Sequence, residues 1–463
     1  MDILIKILQL ILSLSILVII HECGHFIPAR LFKTRVEKFY LFFDAWFSII
    51  KFRNVDGNWK SWLFKSNKKE ETLPETNKTE FGIGWLPLGG YVKIAGMIDE
   101  SMDKEQMKKP PQPWEFRSKP AWQRLIIMLG GVTMNVVLAI VIYIAMLAVW
   151  GEEYLPNKNV TYGISCDSLA LEMGLKNGDK IISVNGNQVE DFYKIPAEII
   201  LEDAKYVEVL RDGKTQNIPI PEGIIGKMIK QKKPDFINVR FPFEVGGFPK
   251  NSASEQAGLM INDRIIGLDS TWISYYDEFR SLIANRKNET IMVHVLRNNS
   301  DTLHLPVKVS EEGMIGIQAK SVLSYFELNK RDYNMLQAIP AGTVKAYNAL
   351  GNYLKQLKLL FSPEVKAYES LGGFISIGSI FPSEWDWASF WSLTAFLSII
   401  LAIMNVLPIP ALDGGHVLFL FYEIITRRKP SEKFMEYAQY AGMIFLMTLL
   451  VFANGNDIVK LFR

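Results

Sequence analysis

Two histidines and a glutamate stand close together in "LVIIHECGHFIPAR": His21, Glu22 and His25. On a helix, residues i and i+4 share a face, so His21 and His25 can turn imidazole nitrogens toward one ion. Glu22 is offset by one position. It is poorly placed to be a ligand and well placed to hold a proton beside the ion. The chemistry open to this trio is hydrolysis. A divalent ion such as zinc acidifies water to a pKa near ~7, and Glu22 can take that proton and pass it to a leaving amine. Catalytic zinc keeps three protein ligands and one open position, so a third donor must come from elsewhere. The stretch "NVLPIPALDGGH", residues 405–416, supplies two candidates, Asp413 and His416. Pro408 and Pro410 break a helix there, and Gly414 and Gly415 permit a tight turn that frees Asp413 to reach an ion. His416 is also a good ligand, or it can orient the site through a hydrogen bond. Chemistry alone leaves both open.

The elements that must position these residues are membrane spans. Residues 3–29 are predominantly apolar and meet the ~20-residue requirement for a spanning helix. Ionisable groups inside such a span are costly and mark function. This run is too long for the ~7–15-residue core of a signal peptide, and no small-residue cleavage site follows it. Residues 124–150, 387–407 and 437–455 also qualify as spans, and a shorter apolar piece at 417–425 continues the third after its break. Lys and Arg cluster after the first span (Arg30, Lys33, Arg35, Lys38), before the second (Arg117, Lys119, Arg124) and between the third and fourth (Arg427, Arg428, Lys429, Lys433). Such clusters face the cytoplasm, which puts the region from 151 to about 386 and both termini outside.

Composition narrows the reading further. The chain has 463 residues, a net charge of +2 and two cysteines. A near-neutral charge gives no footing for nucleic acid. Cys23 lies in a span and Cys166 in a soluble stretch, so no disulfide framework is expected.

The outer region repeats itself. "SLALEMGLKNGDKIISVNG" (168–186) aligns with "SASEQAGLMINDRIIGLDS" (252–270), pairing Gly174-Leu175 with Gly258-Leu259 and Asp179 with Asp263. Residues 206–214 and 291–307 alternate around turn residues and read as hairpins. The Gly-Leu turn, Gly-Asp-x-Ile and Val-Asn-Gly of the first copy resemble PDZ domains. The second copy has Asn262 and Ser270 where glycines are expected. "VGGF" (245–248) falls where the repeat places an ordinary strand. Residues 343–361 put Val344, Tyr347, Leu350, Leu354, Leu357 and Phe361 on one helical stripe. On the cytoplasmic side, residues 66–80 are polar. They precede "FGIGWLPLGGYVKIAGM" (81–97), which is apolar, glycine-rich and too short to span, and which reads as a hairpin dipping toward the membrane.

"HECGHFIPAR" together with "NVLPIPALDGGH" resembles the site-2 protease family of intramembrane zinc endopeptidases. The two PDZ-like copies narrow the resemblance to its bacterial regulator-of-sigma-E protease type. "GWLPLGGYVKIAGM" is similar to that family's membrane-associated hairpin, and "LGGFISIGSI" (371–380) to a segment before its third span. The resemblance implies Zn2+ held by His21, His25 and Asp413, with Glu22 as catalytic base. It implies that Asn405, Pro408 and Pro410 help position substrate, and that the hairpin at Gly89, Gly90, Tyr91, Val92 and Lys93 holds an unwound peptide as an added strand. It also implies that the PDZ pair filters substrates by size on the outer side of a bacterial inner membrane. Two departures stand out. Gly131-Val132-Thr133-Met134-Asn135 lacks the proline of the family's Gly-Pro-x-x-Asn, and the insert at 41–80 is long.

The expected fold is a polytopic α-helical membrane protein with four transmembrane helices, a membrane-associated β-hairpin and two extracytoplasmic PDZ-like α+β domains. Its expected organisation is a first span over 1–30, a cytoplasmic loop over 31–123 and a second span over 124–150. PDZ-like modules follow at 151–235 and 236–325, then an amphipathic helix and linker over 326–386. The third span covers 387–426 and the fourth 435–455. The expected function is zinc-dependent cleavage within the membrane of single-pass proteins such as anti-sigma factors or remnant signal peptides. The partners are then those substrates and the lipid bilayer, with no nucleic acid. The alternative, an inactive membrane PDZ scaffold or chaperone, would tend to have lost Glu22 or a ligand, and all four residues are present.

Overall fold

Four helices among the described residues are long and apolar enough to cross a membrane. They are α1 (Asp2–Leu31), α2 (Ala121–Trp150), α4 (Trp387–Val406) and α6 (Glu432–Leu461). Two further helices are α3 (Met335–Leu360) and α5 (Asp413–Thr426). The computed structural model describes residues 2–55, 58–66, 79–87, 89–97, 110–230, 236–250, 252–360 and 372–462. The polar stretch read at 66–80 therefore lies almost wholly outside the described residues. The chain divides into two units, one of residues 1–151, 332–358 and 367–463, the other of 152–331 and 359–366.

In the first unit α2 packs against α1, α4 and α5. The α1–α2 crossing is a backbone contact: a Cβ added to Gly24 would lie 2.3 Å from Gly130 O, and one added to Gly130 would lie 1.9 Å from Gly24 O. Small residues at a crossing let two apolar helices approach where lipid offers no hydrophobic driving force. Polar side chains add ties between the helices. Thr394 Oγ1 on α4 donates to Ser13 Oγ on α1 at 3.0 Å, and the Arg124 guanidinium on α2 pairs with Glu423 on α5 at 2.5 Å. The third apolar element begins where Asp386 caps it, accepting from Ser389 N at 2.7 Å, and it ends before Pro408. The chain restarts as α5 at Asp413, as the two prolines and two glycines predict.

A five-stranded sheet follows α1: β1 (Val36–Leu41), β2 (Phe43–Val55), β3 (Asn58–Ser66), β4 (Glu80–Leu86) and β5 (Tyr91–Ile94). Its order is β3-β2-β4-β1-β5. The hairpin expected over 81–97 is corrected here. β4 and β5 do not pair with each other, because β1 lies between them, parallel to β4 and antiparallel to β5. The Gly-rich link does not close a hairpin turn. It carries the chain across β1 to the sheet edge, so among the described residues β5 keeps one side open. Val36 and Ile94 of this sheet share a core with Ala29, Ile127 and Leu420, which seats the sheet on α1, α2 and α5.

Helix α3 is longer than the stripe read at 343–361, and its buried face is rotated from the one expected. Ala346 is buried, and Leu350, Tyr353 and Leu357 pack beside it against α2 and α4. Val344, Tyr347 and Leu354 are exposed, and Phe361 lies outside the described residues. Leu350 and Leu357 of the stripe do pack inward, and Ala346 and Tyr353 join them where Val344, Tyr347 and Leu354 face outward.

The second unit contains the repeat, with one hydrophobic cluster per copy. In the first copy Lys180–Val184, Tyr206–Arg211 and Lys214–Pro219 form a sheet. In the second, Arg264–Leu268, Thr290–Arg297 and Asp301–Lys308 do the same, with Thr271–Trp272 added at the edge. The hairpins read at 206–214 and 291–307 are present. Val245–Gly247 is a short strand paired with Gln318–Ala319, as the repeat alignment places it. Packing extends the first copy past 235. Ile237–Val239 pairs with Ile164–Cys166, and Phe241 joins the same core.

The strongest mark of duplication is a buried knot. Gly174 and Gly258 both turn with positive φ, at 102° and 98°. Asp179 accepts from Arg211 Nε and Nη2, both at 2.7 Å, and from Lys176 N at 2.8 Å. Asp263 accepts from Arg297 Nε at 2.8 Å and Nη2 at 2.7 Å, and from Met260 N at 2.9 Å. Each arginine also donates to its glycine's carbonyl.

Candidate metal centre

The site lies in the first unit, where α1, α2, the α4–α5 break and β5 meet. His21, Glu22 and His25 are buried on the inner face of α1. His21 Nε2 and His25 Nε2 are 3.2 Å apart, and Asp413 Oδ2 lies 3.2 Å from each. These three ligand atoms form a cluster that could hold a metal ion. A tetrahedral ion with bonds of about 2.0 Å spaces its ligand atoms about 3.3 Å apart, so the triangle fits zinc. The donor chemistry fits as well. His25 Nδ1 lies 2.8 Å from Ile127 O. A carbonyl can only accept, so Nδ1 carries a proton, and in the neutral ring that a metal ligand requires the Nε2 lone pair faces the cluster. Asp413 Oδ2 is buried 3.2 Å from a nitrogen of each ring, and among the described residues no arginine, lysine or backbone N–H donates to it. Two carboxylates and two imidazoles at this depth leave negative charge that a divalent cation would neutralise.

The α4–α5 break delivers Asp413. Residues Leu407–Leu412 form a loop with Ile409 N donating to Leu407 O at 2.7 Å and Leu412 N to Ile409 O at 3.0 Å. Ala411 takes φ of 79°, rare for a residue with a Cβ, and its N–H donates to Gln439 Oε1 of α6 at 3.2 Å. Pro408 and Pro410 shape this loop and are absent from the wall of the cavity in front of the metal cluster. His416 lines that cavity, but its ring is not among the three converging ligands.

The cavity holds about 870 Å³ and is walled on one side by Gly89–Ile94. Gly89, Gly90, Tyr91, Val92 and Lys93 thus reach the same space as His21, Glu22 and His25, with the Val92 backbone beside the Glu22 carboxyl. Asn405 closes another side, its Nδ2 lying 3.4 Å from His21 Nε2. Tyr91 is held by its hydroxyl, which donates to Asp44 Oδ1 at 2.9 Å, and by stacking on Tyr40 at 5.4 Å.

Two neighbours join the site without a role assigned to them by the sequence. Gln439 carries only the weak signal of a polar residue in an apolar span. Asn135 carries that signal and is also the asparagine of the Gly131–Asn135 match to the family's Gly-Pro-x-x-Asn, and its carboxamide lies 3.0 Å from His21 Nδ1. Cys23, beside the motif, and Cys166 are both free thiols.

Two buried histidines on a spanning helix and an aspartate at the α4–α5 break, with a carboxylate beside them and a cavity in front, define a membrane-embedded metallohydrolase site. The chain belongs to peptidase family M50, whose family model matches residues 9–65 and 72–449. It is 26% identical to the regulator of sigma-E protease RseP of Escherichia coli, over 97% of this chain and 98% of that protein. It is 27% identical to the regulator of sigma E protease of Haemophilus influenzae, over 97% of this chain and 98% of that protein. A Vibrio cholerae protein whose name includes the words zinc metalloprotease is 27% identical, over 99% of this chain and all of that one. The chain is a zinc-dependent metalloendopeptidase and an integral inner-membrane protein.

Proposed function

We propose that this enzyme cleaves single-pass membrane proteins within their transmembrane segments, with anti-sigma factors or remnant signal peptides as the substrate type. The observation that carries the reading is the 3.2 Å triangle of His21, His25 and Asp413 on spanning elements, facing a cavity walled by the open edge of β5. His21, His25 and Asp413 hold the zinc. When bound, the ion supplies Lewis acidity toward a peptide carbonyl and toward water. Glu22 accepts the proton of the attacking water on its carboxylate and returns it to the departing amine nitrogen. A peptide bond inside a helix is shielded by its own hydrogen bonds. Tyr91, Val92 and Lys93 offer main-chain groups along the β5 edge to an unwound segment, which lies against Gly89 and Gly90 as an added strand. Asn405 contacts the bound segment beside the metal, and Pro408 and Pro410 act by holding the loop that aims Asp413. The repeated modules are PDZ-like domains on the outer face of the membrane. They admit substrates whose ectodomains have already been trimmed, while the active site opens toward the cytoplasmic side.

Glu22→Gln tests the chemistry. In cells expressing a tagged single-span substrate, cleavage should fall by at least ~10³-fold, while purified protein keeps about one zinc per chain. Cleavage at the wild-type rate by Glu22→Gln would refute the role given to Glu22.

A further inference from the structure

Ile127, Gly131 and Asn135 are spaced four apart on α2 and so share one face. That face is turned to the two imidazoles. Ile127 O accepts from His25 Nδ1. A Cβ at Gly131 would lie 2.5 Å from His25 Nε2 and 2.6 Å from His21 Cε1, so only glycine leaves room for both rings. Asn135, with 0% exposure, meets His21 at Nδ1. Its own backbone carbonyl accepts from Ser398 Oγ of α4 at 2.8 Å, which ties the residue to its place independently of the ring.

The two ends of a carboxamide have nearly the same shape, and their partners decide which way it lies. With Nδ2 toward the ring, Asn135 Oδ1 is buried without a hydrogen-bond partner among the described residues. His21 Nδ1 must then accept, which puts the ring proton on Nε2, inside the triangle of ligand atoms, and removes Nε2 as a ligand. The opposite orientation sets Oδ1 against Nδ1. Nδ1–H then donates, and the Nε2 lone pair faces His25 and Asp413. Turning the amide moves Nδ2 to where Oδ1 was, so it is the tautomer of the ring that selects between the two.

We infer that Asn135 is the positioning residue for His21: its Oδ1 accepts from His21 Nδ1–H and fixes the ring in the metal-binding tautomer, as Ile127 O does for His25. This rests on the ligand set proposed above. It gives a local reason for a fully buried amide in the middle of an apolar span, where an unpartnered polar group is costly.

The test uses the full-length protein in detergent, with zinc affinity measured by competition against a chromophoric chelator. Asn135→Leu, close in shape and without an acceptor, should bind zinc roughly 10–100-fold more weakly than wild type. Asn135→Asp keeps an acceptor at the same place and should bind within about threefold of wild type or more tightly. A merely structural asparagine would show no such rescue. Wild-type affinity in Asn135→Leu, or equal weakness in both variants, overturns the inference. If Asn135→Leu does not fold, Asn135→Asp decides by itself, and a loss of about tenfold or more overturns the inference. Wild-type protein that holds no zinc would overturn the ligand set itself, which separates the two failures.

Discussion

Both units of the molecule bury carboxylates, and each answers their charge differently. In the repeated modules Asp179 and Asp263, each 1% exposed, are matched by a two-pronged arginine and a backbone N–H. The chain neutralises them itself, and they stitch a turn to a strand. In the membrane unit Asp413 Oδ2 faces two imidazoles, with no arginine or backbone N–H donating to it among the described residues, and Glu22 is buried beside them. A charge that the chain leaves unanswered needs an ion from outside to be stable at low dielectric. Burial alone therefore does not mark a functional carboxylate. The missing partner does.

Asp413→Ala should give the largest effect. The zinc content of the purified protein should fall from about one per chain to near zero, and substrate cleavage should go with it, because a two-histidine site lacks the third ligand of a catalytic zinc. Retention of zinc by Asp413→Ala, with loss only in His416→Ala, would show that the unanswered carboxylate had been misread and that His416 is the ligand.

Asp179→Ala and Asp263→Ala probe the other side of the comparison. Each leaves a half-buried arginine and a backbone N–H without their charged acceptor, a loss of about 1.5–3 kcal/mol. Thermal or denaturant unfolding followed by a probe in the modules should register the loss, while zinc content stays at the wild-type level. If either substitution strips the metal instead, the two classes of carboxylate are not independent.

The contrast also separates what the sequence displays from what it hides. The metal donors on α1 were legible because a helix fixes the relation of residues four apart, and the α4–α5 break because proline and glycine act locally. The duplication was legible because Gly174, Asp179 and their counterparts recur at one spacing. Contacts between distant segments were not legible. β1 inserts between β4 and β5 although it lies some forty residues earlier, and nothing local in 81–97 announces that neighbour. Asn135 and Gln439 could be seen as polar residues in apolar runs, but their partners, His21 and Ala411, follow from how the helices cross. The buried face of α3 was legible only in part for a similar reason: the helices packed against it keep Leu350 and Leu357 of the stripe and add Ala346 and Tyr353.

The smallest expected effect sharpens the comparison within the modules. Cys166 is half-buried in the first copy, and its thiol is pushed up to about 12 by burial and by the nearby carboxylates of Asp179 and Asp167. The raised value keeps the thiol neutral near pH 8, so a maleimide applied to the folded protein should label Cys166 far more slowly than an exposed cysteine introduced by Ser300→Cys. The same shift makes this group's contribution to stability complete below the ordinary thiol value of 9.0 and lost as pH climbs toward about 12. Asp179→Asn removes one of the charges that hold the thiol neutral, so labelling at pH 8 should quicken by a modest factor in a protein that still folds. Labelling of Cys166 in wild type as fast as at position 300 would mean that the knot around Asp179 opens readily, and that its carboxylate is less firmly answered by Arg211 than the geometry indicates.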